Sequence, residues 1–222
     1  MMSHVPGGLV SKRFLNAWRP VSGAVPPIGG FTLFTGHTSF PAGVVSGDAE
    51  TARNDFVALI TSIVPDPYED PPWLPFDPGN SYATTSNGNT AIITSVTTLP
   101  YINGNNAGRF NTTPAGAQFM EVTAFQSAKF TFGAPMAGFG CFVTDAGDFD
   151  AIWIARVVDQ FAVSTDYQIN VQGTVNGTLD FWGFLDNSGL LYQSVEIIQS
   201  TATVDAIGID DVIIVDLAQI VP

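Results

Sequence analysis

From Ser81 onward the chain repeats one pattern, and that pattern leaves few folds open. Short runs of β-branched and aromatic residues recur at roughly ten-residue spacing, separated by turn formers. The runs cover residues 90–97, 119–123, 129–132, 139–143, 152–158, 167–171, 179–184, 195–198 and 211–215. Between them stand Asp145, Ala146 and Gly147, then Asn176 and Gly177, then Asn187, Ser188 and Gly189, which suit tight turns. Strands this short and this numerous predict an all-β sandwich of the jelly-roll kind. Phe130, Phe132, Phe139, Phe142, Phe181 and Phe184 sit in the runs and are expected in its core.

The front of the chain differs. Residues 1–30 hold many Gly and Pro and no sustained period, and they read as an extended N-terminal arm. A short strand is expected over residues 31–34. One helix is predicted over about residues 48–63, capped by Asp48, with Ala52, Phe56, Leu59, Ile60 and Ile63 on one face and Pro65 after it. The loop 65–80 contains six prolines, so it cannot be helix or central strand. Trp73, Leu74 and Phe76 are its expected anchors. Residues 31–222 thus form a single domain behind the arm.

Charge divides along the same boundary. Lys12, Arg13 and Arg19 precede any acidic residue, so residues 1–47 carry +3. The rest carries four basic and 20 acidic residues, a net −16. Such a body lacks the clustered cations that phosphate binding needs, which argues against a nucleic-acid partner. A basic arm on an acidic body suits docking onto another subunit of an assembly, and a homo-oligomer is expected. Lys12, Arg13, Phe14, Trp18 and Arg19 are the expected attachment residues. The apolar runs are too short to span a bilayer. No export signal is read at the N-terminus, which predicts synthesis in the cytoplasm.

The stretch FTFGAPMAGFGCFVTDAGDFD (130–150), followed by GTLDFWGFLDNSG (177–189) and VDAIGIDDVII (204–214), resembles the jelly-roll domains of bacterial PEP-CTERM-type exported proteins. The segment AETARNDFVALI (49–60) and the pair Tyr68 and Glu69 are similar to that family's front end. The resemblance implies a jelly roll and a calcium ion where the first strand meets the last, a place that Glu69 with Asp210 or Asp211 would fill. The chain shows neither that family's hydrophobic sorting segment nor an export signal. That shifts the expectation from the cell surface to a bacteriophage virion version of the fold.

The residues themselves add a second acidic cluster, Asp145, Asp148 and Asp150, as candidate calcium ligands. The polar loop 101–109, with Asn103, Gly104, Asn105 and Asn106, suits sugar hydroxyls. The histidines, His4 and His37, both stand in the front end, which argues against a Ser-His-Asp set within the body. The single cysteine, Cys141, is expected as a buried, inert thiol. The expectation is a non-enzymatic virion structural protein, such as a capsid decoration or tail component. The alternative is a calcium-dependent carbohydrate-binding module at a cell surface or in an extracellular matrix.

Overall fold

The structure is a computed structural model that describes residues 30–39, 44–61, 81–95, 101–103, 107–112, 118–170, 176–201 and 203–221. The arm up to residue 29, with all five expected attachment residues, lies outside them, as does the whole Pro-rich loop 65–80 with Trp73 and Glu69. In chain order the elements are β1 (Phe31–Thr38), α1 (Gly47–Val57), β2 (Ser81–Ser86), β3 (Asn89–Thr94), β4 (Tyr101–Asn103), β5 (Gln118–Thr123) and β6 (Ser127–Met136). There follow β7 (Gly138–Thr144), β8 (Trp153–Asp159), β9 (Ser164–Gln168), β10 (Leu179–Asp186), β11 (Tyr192–Gln199) and β12 (Ala206–Val215).

The pairing is that of a jelly roll. Strands β5 and β12, β6 and β11, β7 and β10, and β8 and β9 pair antiparallel, as one long hairpin folded over itself. Contacts of β7 with β12 and of β8 with β11 close the ribbon into two sheets. Edge additions complete them: the first sheet runs β1-β10-β7-β12-β5-β4 and the second β2-β3-β6-β11-β8-β9. The all-β sandwich read from the sequence is therefore the observed fold.

The two sheets differ in what covers them. On the outer face of the second, Lys129, Glu196, Arg156 and Asp166 stand in register across β6, β11, β8 and β9, alternating in sign. Such a ladder marks a face turned to water. Strands β7 and β10 are instead buried at every position, as is nearly all of β12. Phe139, Trp182 and Phe184 face the core between the sheets, together with Phe130, Trp153 and Ile209. Phe142, Phe181 and Ile213 face outward into a second cluster, beneath Phe34 of β1 and Phe56 of α1. Burying a side chain like Phe56 stabilises by about 1.5–3 kcal/mol. The Cys141 thiol is fully buried, and burial pushes its pKa well up, as expected of an inert cysteine.

Helix α1 departs from its predicted bounds at both ends. Ser46, not Asp48, is the N-cap residue, and its side chain makes no capping bond. Thr38 of β1 caps from outside: Ala49 N donates to Thr38 Oγ1 at 3.1 Å, and that hydroxyl donates to Ser46 O at 2.8 Å. The helix stops at Val57 because the next residues pair with the C-terminal segment. Ile60 bridges Ile220, Thr61 N donates to Gln219 O at 2.8 Å, and Val221 N to Leu59 O at 2.8 Å. Residues 101–103, read as part of a loop, form edge strand β4 against β5.

Close approach of α1 to the sheet depends on Gly36, where an added Cβ would lie 2.0 Å from Asp48 O. Gly36→Ala must push the helix start away from β1. We expect a loss of about 1–3 kcal/mol, the usual cost of overpacking, measured as a lower urea midpoint at unchanged m-value.

Candidate functional site

Three places bring chemistry-bearing side chains together. The first was missed from the sequence. Register sets His37 of β1 opposite Asp180 of β10. Asp180 is 1% exposed; its Oδ1 lies 2.8 Å from His37 Nδ1, and His37 Nε2 lies 3.0 Å from Ser39 Oγ. A Ser-His-Asp set does therefore exist, because β1 joins the body as an edge strand. Position near the front of the chain does not keep a histidine away from an acid 143 residues later.

Its electrostatics favour a clamp. The hydrogen bond that His37 donates to Asp180 raises the His37 pKa against the effect of burial, and the charges of Asp180 and Asp48 add to the rise. The favoured imidazolium donates from both nitrogens, whereas a base for Ser39 needs Nε2 free to accept. Burial pulls the Asp180 carboxyl up and the bond from His37 opposes it. His37 is thus the charge that allows Asp180 to sit between the sheets.

The second place is the end of the sandwich near Asp145. Asp145 Oδ1 accepts from Gly177 N at 2.7 Å and Oδ2 from Arg109 Nη1 at 3.2 Å, while Arg109 Nε binds Glu121 at 2.8 Å. Asp148 hydrogen-bonds to Asp205, which also accepts from Trp153 Nε1 at 2.9 Å. Burial, and then the Asp205 carboxylate, push Asp148 up to about 7; burial pushes Asp145 up to about 6. The left-handed backbone at Asp145 and Gly147 holds the loop that brings Asp148 to Asp205.

The candidate calcium ligands among the described residues already have partners or lie apart. Asp145 is turned to Arg109, Asp148 to a second carboxyl, and Asp150 is exposed. Asp210 accepts from both the backbone N and Oγ1 of Thr112, and Asp211 accepts from Arg53 Nε at 2.6 Å, joining α1 to a bulge in β12. Glu69, their expected companion, lies outside the described residues. Among the described residues no group of three His, Cys, Asp or Glu is placed to hold a metal ion. No helix among them is long and apolar enough to cross a membrane.

The third place, at the opposite end, is a cleft of about 290 Å³ between β1, the β8–β9 hairpin and the β10–β11 turn. Its floor is aromatic. Phe31 stacks on Tyr167 at 5.4 Å between ring centres and meets Tyr192 edge-on at 6.1 Å. Tyr192 donates its hydroxyl to Asp186 at 2.7 Å, and Asp159 accepts from Phe161 N and Val163 N at 2.8 and 2.9 Å. Among the described residues no Lys or Arg lines it. Val163, 59% exposed, is one of its lining residues. The β10–β11 turn residues 187–189 signal one wall in the sequence, but nothing local announces that Phe31 and Tyr167 will meet.

No family model matches this chain, and no curated protein matches it. Its chemistry is therefore argued from these three places alone.

Ser39 should label with a fluorophosphonate no faster than other exposed serines; fast labelling abolished by His37→Ala would make the trio a hydrolase. Raised carboxyl pKa values stabilise the fold below about pH 3.8, and that contribution is lost as pH rises through about 7 for Asp148. His37, raised by Asp180, acts in the same direction. Asp148→Asn should therefore flatten the fall in Tm between those pH values, and added calcium should leave the Tm of the native chain unchanged.

Proposed function

We propose that this protein is a non-enzymatic structural component of a virion, a capsid decoration or tail protein, that attaches through its N-terminal arm. One observation carries the reading: the chain enters the jelly roll as an edge strand. Gly30 N donates to Asn187 Oδ1 at 2.8 Å, and β1 then runs along β10, so residues 1–29 join the body at its rim. Those residues hold three cations and no acid, against a body whose net charge is strongly negative. Several of the body's buried acids are meanwhile engaged with Arg, His, Trp, Tyr and backbone donors, which supports a stabilising role for them.

A second reading, a carbohydrate-binding module, draws on the aromatic cleft, since flat rings beside carboxylates suit sugar faces and hydroxyls.

The leading reading is tested on the whole chain. Lys12→Glu, Arg13→Glu and Arg19→Glu together should abolish self-association, followed by sedimentation velocity, without moving the Tm. Self-association of the native chain should weaken as salt is raised, because exposed charges are screened over about 8–10 Å at moderate ionic strength. A triple variant that assembles as the native chain does would exclude the arm.

A further inference from the structure

We propose that the aromatic cleft is the receptor for the arm of a neighbouring copy, with Trp18 seated on Phe31, Tyr167 and Tyr192 and Arg19 facing Asp159. This rests on the reading of the arm as the attachment segment and adds where it lands.

Three observations converge on that occupant. The first is size and surface: a cleft of about 290 Å³ with a ring-stacked floor admits one large flat side chain, and not several. The second is charge. Asp159 and Asp186 line the cleft with no cation among them. In residues 1–29 each aromatic has a cation next to it, Arg13 beside Phe14 and Arg19 beside Trp18. An indole and a guanidinium side by side match an aromatic floor with an acidic rim. The third is where the arm begins. Phe31, the first strand residue, is itself a wall of the cleft, so the arm starts at the rim of its own receptor. Adjacent Pro26 and Pro27 restrict the backbone just before that rim. The arm of one copy enters the cleft of the next, and repetition of that exchange links copies.

The alternatives are weaker on the same grounds. The outer face of the second sheet carries its own alternating charges, and the Asp145 end keeps its carboxylates turned inward.

The test uses full-length chains. Trp18→Ala removes the plug. Thr165→Arg, at an exposed β9 residue lining the cleft, places a cation where the arm's cation must come. Each should weaken self-association roughly 30-fold, the loss of one hot-spot contact, with Tm unchanged. Mixed together, the two variants should form a 1:1 heterodimer, because one retains the cleft and the other the arm; native mass spectrometry reads it directly.

If Trp18→Ala abolishes assembly while Thr165→Arg does not, the arm reading stands and this receptor is wrong. If both variants assemble like the native chain, the arm reading falls as well. A monomeric native chain that binds a soluble oligosaccharide, with Thr165→Arg abolishing the binding, would overturn the proposal in favour of the glycan.

Discussion

A β-sheet whose central strands are apolar on both faces must be covered on both. Strands β7, β10 and β12 are such a set, and most of the structure outside the eight jelly-roll strands answers to them. The second sheet covers one face. Helix α1, the edge strand β1 and the C-terminal segment after β12 cover the other, from positions at opposite ends of the sequence. What holds these pieces down is polar and specific: Thr38 on the helix start, Arg53 on Asp211, His37 on Asp180, and the backbone pairing of Ile60 with Ile220. Thr38 and the Ile60–Ile220 pairing join the cover elements to one another, while Arg53 and His37 tie them to β12 and β10.

The same need explains the internal use of charge. An acidic body gains little from further surface carboxylates, yet several are buried here. Asp180 is matched by His37 and Asp145 by Arg109, while Asp148 lies against Asp205. These contacts tie strand to strand and loop to loop from within the body.

How much of this was legible follows from which interactions are local. Turn chemistry is local, so Asp145, Gly147, Gly177 and Gly189 marked loops correctly, and their backbones are left-handed as those residues allow. Phe139, Phe142, Phe181 and Phe184 were expected in the core and are buried, but the run did not tell that Phe142 and Phe181 fill a second cluster on the other face. The end of α1 was not legible, because Leu59 and Ile60 keep the helical spacing while their backbone partners stand about 160 residues away, at the far end of the chain. The His37–Asp180 contact and the cleft were hidden for the same reason: both are made by β1 docking at a sheet edge, a long-range event with no local sign.

That docking also decides how the molecule would bear tension. The arm is continuous with β1, and β1 is zipped antiparallel to β10 over eight register positions, from Phe31 opposite Asp186 to Thr38 opposite Leu179. A tug along the strand loads all of those rungs in shear at once. A tug across it peels them one by one, beginning at Phe31. The direction from which a neighbour pulls would set the force at which the subunit gives way, with no change in any contact it makes.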